Sequence, residues 1–305
     1  MEKVFLEKLQ KTLHIPGGLL FYGKEGSGKT KTAFEFAKGI LCKENVPWGC
    51  GSCPSCKHVN ELEEAFFKGE IEDFKVYKDK DGKKHFVYLM GEHPDFVVII
   101  PSGHYIKIEQ IREVKNFAYV KPALSRRKVI IIDDAHAMTS QAANALLKVL
   151  EEPPADTTFI LTTNRRSAIL PTILSRTFQV EFKGFSVKEV MEIAKVDEEI
   201  AKLSGGSLKR AILLKENKDI LNKVKEFLEN EPLKVYKLAS EFEKWEPEKQ
   251  KLFLEIMEEL VSQKLTEEKK DNYTYLLDTI RLFKDGLARG VNEPLWLFTL
   301  AVQAD

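Results

Sequence analysis

The sequence contains, at residues 23–30, the stretch Gly23-Lys24-Glu25-Gly26-Ser27-Gly28-Lys29-Thr30. This stretch fits G-x-x-x-x-G-K-[ST], the pattern of a phosphate-binding loop (P-loop), in which glycines let the backbone turn tightly around phosphate oxygens. In such a loop Lys29 would neutralise the β- and γ-phosphates, and the Thr30 hydroxyl would hold Mg²⁺. An apolar run at Leu19–Tyr22 predicts a buried strand before the loop, and Thr32–Ala37 predicts a helix after it. This context predicts an α/β fold with a nucleotide held by Gly23, Gly26, Ser27, Gly28, Lys29 and Thr30.

The composition bears on whether the chain can bind nucleic acids or membranes. Its 305 residues are enough for two or three domains, and its 47 basic and 47 acidic residues cancel. Overall charge therefore does not predict nucleic-acid binding, and any contact with DNA would have to be local or shared with a partner. The start of the chain lacks the apolar core of a signal peptide, and no stretch is long and apolar enough to span a bilayer. We therefore expect a soluble, cytoplasmic protein without membrane contact.

All four cysteines fall in one short segment, as Cys42, Cys50, Cys53 and Cys56. Two overlapping C-x2-C steps let a turn aim thiolates at one tetrahedral ion, and the glycines, serines and proline between the cysteines suit such a turn. Disulfides and buried free thiols are the alternatives, although disulfides are disfavoured in a cytosolic protein. The spacing predicts a structural zinc site. Four thiolates would leave no open coordination position for catalysis.

The first 180 residues alternate short apolar runs with helical patterns, which is typical of a parallel α/β sheet. The predicted buried strands are Leu19–Tyr22, Phe96–Ile100, Val129–Asp133 and Thr158–Thr163. Two further runs, Phe74–Tyr77 and His85–Tyr88, flank a charged segment that contains Asp81-Gly82. This pattern predicts a hairpin insertion at about residues 70–92, with a charged disordered loop as the alternative.

Strand patterns end at about Phe182. Beyond it, predicted helices at Ser186–Ala194 and Asp197–Leu203 end at Gly205-Gly206, and apolar residues at helical spacing continue to the C-terminus. The predicted layout is an α/β domain over residues 1–181 with a cysteine module at 42–56, a small helical domain over 182–212, and a second helical domain over 213–305.

An apolar run from Lys128 ends in two acids, Asp133 and Asp134. In P-loop proteins the first acid organises the Mg²⁺ shell, and the second position commonly holds a glutamate that orients the attacking water. Asp134 is one methylene shorter than glutamate, so its reach to the water is reduced, which weakens the case for hydrolysis. The alternative is a strand that ends in a solvated acidic turn.

Three later segments complete an ordered set of motifs, and they are Asn144-Ala145-Leu146-Leu147-Lys148-Val149-Leu150-Glu151-Glu152-Pro153-Pro154, Thr162-Thr163-Asn164 and Ser175-Arg176. With the P-loop and the cysteines in this order, the chain resembles bacterial DNA polymerase III clamp-loader subunits, which are AAA+ ATPases, over about residues 15–215. It departs from them at Thr177, where a Ser-Arg-Cys motif has its cysteine. The resemblance implies an AAA+ parallel-sheet nucleotide domain with an inserted zinc module, followed by a small helical lid and an all-helical collar.

Within that family the chain resembles delta-prime subunits more than the gamma and tau motors. The N-terminus runs from Leu6–Leu9 directly to the P-loop and lacks the Arg-Pro segment and V-V-G-Q box of the motors. The segments His93–Asp95 and Ile106–Arg112 are similar to delta-prime segments, and that subunit tolerates a departure such as Asp133-Asp134. The short C-terminal part agrees with this expectation, because tau carries long extensions.

The resemblance also implies roles for single residues. Arg176 would be an arginine finger presented in trans to ATP on the adjacent motor subunit, since its planar fork pairs with phosphate and stays charged. Asn164 would be the sensor 1 residue near the γ-phosphate or the attacking water, and Lys209 takes the sensor 2 position. The alternatives are a surface ion pair for Arg176, a turn cap for Asn164 and a solvated helix-terminal charge for Lys209. His136 shows no partner in the sequence, which favours a structural role.

Two hypotheses of function follow. In the first, the chain is a delta-prime stator that assembles with gamma or tau and delta, and helps to load the sliding clamp on primed DNA. Its own ATPase activity would then be weak or absent, with zinc as a structural ion and ATP and Mg²⁺ as ligands of the P-loop. In the second, the chain is a gamma/tau-like AAA+ motor that hydrolyses ATP itself.

Overall fold

The computed structural model of the protein describes residues 2–12, 15–80, 82–228, 237–238, 240–268 and 271–287. Contacts between Cα atoms divide the chain into two compact units, residues 1–184 and residues 185–305. The further division of the second unit into a small helical domain and a collar stays a prediction.

The first unit is an α/β domain. Its strands are β1 (Gly18–Gly23), β2 (Lys75–Lys80), β3 (Lys83–Leu89), β4 (Phe96–Ile99), β5 (Lys128–Ile132), β6 (Thr157–Thr163) and β7 (Phe178–Phe182). Its helices are α1 (Glu2–Thr12), α2 (Lys29–Leu41), α3 (Pro54–Lys68), α4 (Ile108–Tyr119), α5 (Ser140–Glu151) and α6 (Pro171–Leu174). Short 3₁₀ turns lie at Glu72–Phe74, Ala135–Ala137 and Arg166–Ala168.

One sheet organises this unit, with the strand order β2-β3-β4-β5-β6-β1-β7. The five strands from β4 to β7 in that order are parallel, whereas β3 is antiparallel to both β2 and β4. Every residue of β4, β5 and β6 is buried. Side chains from α1, α2 and α3 pack in one core cluster of the sheet, and those from α4, α5 and α6 pack in another. Buried on both faces, these strands carry continuous apolar runs instead of an alternating pattern.

Strand β7 was missing from the sequence prediction. It lies at the edge of the sheet next to β1, and only two of its five residues, Val180 and Phe182, are buried. The predicted strand Val129–Asp133 ends one residue earlier in the structure, because Asp133 belongs to the turn that follows β5.

The hairpin predicted around Asp81-Gly82 forms from β2 and β3, which pair from Lys75↔Leu89 to Lys80↔Lys83 with a bulge between Val76 and Tyr77. Strand β3 joins the main sheet at a single register pair, Leu89↔Val98.

In the described residues of the second unit, helices are joined by turns and no strand is present. Its helices are α7 (Val187–Ala194), α8 (Glu198–Leu203), α9 (Leu208–Glu216), α10 (Lys218–Leu228), α11 (Pro247–Glu268) and α12 (Asp271–Leu287). Apolar side chains from these helices form a separate core that includes Val190, Ile200, Phe227, Phe253 and Phe283. Among the described residues, no helix has the length and apolar character to cross a membrane.

Candidate functional site

The P-loop and three other predicted site residues meet at one edge of the sheet. The loop follows β1, Asp133 and Asp134 follow β5, and Asn164 follows β6, which lies between those two strands. Because β1, β5 and β6 are parallel, their carboxyl ends share an edge, where ligands of open α/β sheets bind. We call this the carboxyl edge.

Glycines give the P-loop its shape. Gly26 and Gly28 have positive φ angles of 71° and 85°, and Gly28 is the N-cap residue that precedes α2. Gly23 has φ 150°, and a Cβ placed on it would lie 2.0 Å from the carbonyl oxygen of Phe182 in β7. Only glycine satisfies both the backbone angles and this close strand contact without strain.

Lys29 is buried inside the loop, with 7% of its surface exposed. Its Nζ donates to the carbonyl oxygens of Lys24 at 2.6 Å and Gly23 at 3.0 Å. Burial lowers the pKa of this ammonium, while the carboxylates of Asp133 and Asp134 act in the opposite direction. The loop therefore holds a cation where a phosphate-binding site requires one.

Thr30 and Asp133 are in direct contact across the carboxyl edge. The Thr30 hydroxyl donates to Asp133 Oδ1 at 2.7 Å, and the Thr162 hydroxyl donates to the same oxygen at 2.6 Å. Burial raises the pKa of Asp133, and the two hydroxyl groups oppose that rise. A hydroxyl and a carboxylate are the hard oxygen ligands that Mg²⁺ prefers, so this pair fits the ion that accompanies a nucleotide.

Asp134 and Asn164 are exposed at the same edge. Asp134 has left-handed backbone angles of φ 51° and ψ 49°, and its N–H donates to the Thr162 hydroxyl. His136, without a partner in the sequence, lies 3.8 Å from Asp134 Oδ1 and 3.3 Å from Thr163 Oγ1. Burial lowers the pKa of His136, which favours its neutral form.

The four cysteines converge as their spacing predicts. Their sulfur atoms all lie within 4.8 Å of one another, and Cys50 Sγ is 3.9 Å from Cys56 Sγ. Thiolates around one tetrahedral zinc ion would be about 3.8 Å apart, so the cluster fits zinc. Hydrogen bonds from the Ser52 hydroxyl and neighbouring backbone N–H groups lower the pKa of Cys50 to about 6, whereas burial raises that of Cys56 to about 12.

A buried polar network links the cysteine segment to the strands, and sequence reasoning missed it. Asp95 is fully buried and accepts the backbone N–H groups of Ala123, Leu124 and Ser125 at 2.7–2.8 Å. His93 Nε2 lies 3.1 Å from the hydroxyl of Ser55 and 3.3 Å from that of Ser125. These contacts explain the His93-Pro94-Asp95 segment structurally: it joins α3, the start of β4 and the loop before β5.

Arg176 lies at the opposite edge of the sheet from the P-loop. It precedes β7, and its carbonyl oxygen is 3.3 Å from the position of a Cβ on Gly18, where β1 begins. The P-loop starts where β1 ends, five residues further on, which corresponds to roughly 16 Å of extended chain. We call this side, at the amino ends of the parallel strands, the amino edge.

The guanidinium of Arg176 is partly exposed and paired within its own chain. It contacts Glu151 Oε1 at 3.0 Å and donates to the Thr172 carbonyl oxygen at 3.1 Å. The Thr177 hydroxyl, where the family motif has cysteine, donates to the Ile173 carbonyl oxygen at 2.9 Å in a buried position. Thr177 therefore occupies the position of that cysteine, and a hydrogen bond within the chain satisfies its hydroxyl group.

The segment ending in Glu151-Glu152-Pro153-Pro154 also belongs to the amino edge. A Cβ on Gly17 would lie 2.5 Å from Pro153 Cγ, and one on Gly18 would lie 3.1 Å from Leu150 Cδ2. The end of α5 thus packs against the start of β1 while Glu151 contacts Arg176. The sequence offered no signal that these two motifs meet.

Lys209 is in the second unit, exposed in the first turn of α9. The next residue, Arg210, donates from Nη2 to the Glu255 carbonyl oxygen of α11 at 3.1 Å. The sensor 2 role of Lys209 therefore stays a prediction.

Comparisons with known proteins agree with these features. The family model described as "DNA polymerase III, delta subunit" matches residues 2–83 and 87–186, more than half of the chain. A DNA polymerase III subunit delta' of Pseudomonas aeruginosa is 32% identical over 62% of this chain and 52% of its own length. A subunit tau of Salmonella typhimurium is 32% identical over 56% of this chain and 22% of its own length.

The matching part of the chain thus spans about half the length of its delta' relatives, and the corresponding protein of Bacillus subtilis, 33% identical, is covered over 43%. Among solved structures, a DNA polymerase III gamma subunit-related protein of Thermotoga maritima is covered over 98%, as is this chain, with 20% identity and a TM-score of 0.51. That likeness concerns the fold alone, and with the observed sheet it agrees with the predicted layout of a mostly parallel α/β domain followed by helices. The chain belongs to the family described as DNA polymerase III, delta subunit, within the clamp-loader group whose members are named delta', gamma and tau.

Proposed function

We propose that this chain is a delta'-type stator of a bacterial clamp loader, which presents Arg176 to ATP bound by the adjacent motor subunit. The observation that carries the proposal is the position of Arg176 at the amino edge, with the length of β1 between it and the chain's own P-loop. An arginine placed there serves a nucleotide on another chain more readily than its own.

Glu151 supports this role because it keeps the guanidinium oriented while leaving it accessible. The ion pair is half-exposed, so its net contribution is small and Arg176 can exchange Glu151 for a phosphate at little cost. A phosphate also accepts the bidentate hydrogen bonds that the arginine fork offers.

Other parts of the proposal concern ligands and partners. Lys29, Thr30 and Asp133 would hold ATP with Mg²⁺, and the four cysteines would hold one structural zinc ion. The partners would be gamma or tau and delta, with the sliding clamp and primed DNA reached through the complex. We expect the chain to act in the cytoplasm.

The test is reconstitution of the chain with clamp-loader gamma and delta subunits, followed by measurement of ATPase activity with clamp and primed DNA. Adding the chain should raise the activity, and Arg176→Ala should remove most of that rise, since fingers contribute on the order of 10³–10⁵ in rate in GTPases. Arg176→Lys should restore only a small part, because lysine lacks the planar fork.

A matched control is Arg126→Ala, which removes another exposed arginine that precedes a parallel strand. This variant should stimulate the complex like the unmodified chain. Equal activity of the Arg176→Ala and unmodified complexes, with both chains assembled, would refute the finger assignment.

A second candidate is a gamma/tau-like motor, favoured by the contact between Thr30 and Asp133 beside a buried Lys29. It predicts that the isolated chain hydrolyses ATP at motor-like rates and that Lys29→Ala abolishes this activity. The stator proposal predicts weak or no hydrolysis by the isolated chain.

A further inference from the structure

The hairpin of β2 and β3 projects from the sheet as an arm. Its base is anchored, because Val87 and Tyr88 are buried in the core cluster that includes side chains of α4. Beyond the single pair Leu89↔Val98, the strands of the arm pair only with each other in the described sheet. Towards the turn, Lys78, Lys83 and Lys84 are exposed.

The arm is basic in a chain without net charge. Residues 75–88 contain five lysines and one histidine but only two aspartates. The lysines of the arm that the structure describes as exposed are Lys78, Lys83 and Lys84, and this local excess of positive charge favours an anionic partner.

The two faces of the arm carry different side chains. Register and strand alternation place Lys78, Lys83 and His85 on one face, and this group is named the basic stripe. Its orientation is fixed by Lys78, whose Nζ lies 3.1 Å from Glu113 of α4. Tyr77 and Phe86 lie on the other face as a cross-strand aromatic pair with ring centroids 6.1 Å apart. Among the described residues, Lys83 has no ion pair.

We propose that the basic stripe binds the sugar-phosphate backbone of a nucleic acid, as a contact that the chain makes itself. Lysine and arginine side chains neutralise phosphates of the backbone, and such contacts position a protein on nucleic acid without reading its sequence. Since the chain has no net charge, any such attraction has to be local, and the arm is a place where positive charge is concentrated.

The side chains on this face favour nucleic acid over an acidic protein. Protein interfaces have an apolar centre and are depleted in lysine. On this face Val87, the next residue of β3 towards the base, is buried, and the exposed positions carry lysine. The aromatic pair that could form an apolar centre lies on the opposite face.

The test measures binding of the full chain, alone and without ATP, to a fluorescent single strand and to a duplex of the same sequence. Anisotropy titrations at about 50 to 200 mM salt give the slope of log affinity against log salt concentration. Lys78→Gln/Lys83→Gln should weaken binding on the order of tenfold at the low-salt end. It should reduce the slope by about 1.8 on the duplex, or about 1.4 on the single strand. The probe on which the double variant loses both affinity and slope is the form that the stripe contacts.

Lys84→Gln/Lys188→Gln is the matched control, because it removes the same charge from the other face of the arm and from an exposed position in the second unit. It should keep at least half of the affinity, and all variants should unfold at the same denaturant concentration. No binding at low salt, equal losses in both double variants, or binding of polyglutamate instead of nucleic acid would each overturn the proposal. None of these results depends on Arg176 or on other subunits, so the finger proposal is tested separately.

Discussion

The carboxyl and amino edges of the same sheet are built by different physical means. At the carboxyl edge the backbone gives the P-loop its shape: positive φ angles at Gly26 and Gly28, and a close approach of Gly23 to β7, leave the loop little conformational freedom. At the amino edge side chains hold separate segments together. Asp95 gathers three N–H groups, and Arg176 joins α5 to the turn before β7.

This difference distinguishes a loop whose backbone has to stay fixed from a side chain that can exchange one partner for another. A phosphate-binding loop requires N–H groups in place before the ligand arrives, and rigid backbone provides that. A residue that acts on a neighbouring chain must be accessible, and a half-exposed ion pair provides that at small energetic cost. Three predictions follow in order of decreasing effect: the first sets a scale of stability with the cysteine module, and the other two test the carboxyl and amino edges.

The largest effect on stability is expected from Cys53→Ser in the cysteine module. If the cluster holds zinc, metal analysis should find one ion in the unmodified chain and none in the variant. Loss of a ligand that binds only the folded state lowers stability by about 4 kcal/mol when its free concentration exceeds Kd a thousandfold. Denaturant unfolding with and without added zinc measures this difference.

The matched control for that prediction is Ser52→Ala, which keeps all four thiols and removes only the hydroxyl that lies 3.5 Å from Cys50 Sγ. It should retain one ion per chain. A metal-free native chain with four titratable thiols would contradict the zinc assignment.

At the carboxyl edge, Gly23→Ala should destabilise the chain by about 3 kcal/mol. Its Cβ would meet the Phe182 carbonyl oxygen, and the clash adds to an unfavourable backbone conformation. Gly103→Ala is the control, because Gly103 also has a positive φ, 70°, but has open space around its Cβ position. Its cost should be about 1 kcal/mol, from backbone strain alone. Equal costs in chemical unfolding would mean that β7 moves away and that this edge is less rigid than described.

The smallest effect on stability is expected from Arg176→Ala. Its main partner, Glu151, is half-exposed, so the free energy of unfolding should fall by about 0.5 kcal/mol. Chemical unfolding of the isolated chain measures it. A loss as large as that of Gly23→Ala would give Arg176 a structural role and remove the contrast between the edges.

The sequence predicted most of the first unit because its central strands are fully buried. The strands at Leu19–Tyr22 and Phe96–Ile100 could be predicted from their own apolar residues. The proximity of Asp133 to the P-loop could also be predicted, because parallel strands end at the same edge of a sheet. The cysteine spacing likewise predicted the convergence of four sulfur atoms.

The remaining features depend on contacts between distant segments. The sequence did not predict strand β7, because an edge strand such as Phe178–Phe182 carries a weaker apolar pattern than a fully buried strand. The pair Arg176–Glu151 joins residues 25 positions apart, and Asp95 binds N–H groups 28 to 30 residues away. Hydrogen-bonding capacity is visible in a sequence, but the partner is set by the tertiary fold.

The P-loop and Arg176 lie at opposite ends of the parallel strands, and this placement bears on the number of junctions that an assembly of such chains would contain. If Arg176 acts on a neighbouring chain as proposed, each junction in an open row of such subunits uses one loop and one arginine, so the row has one fewer junction than subunits. One terminal subunit then gives an arginine and has a loop that receives none. Selection for hydrolysis would not act on that loop, whereas selection for folding would still retain its glycines. Under that proposal, an intact loop beside a shortened second acid such as Asp134 is what the subunit at that end of the row would carry.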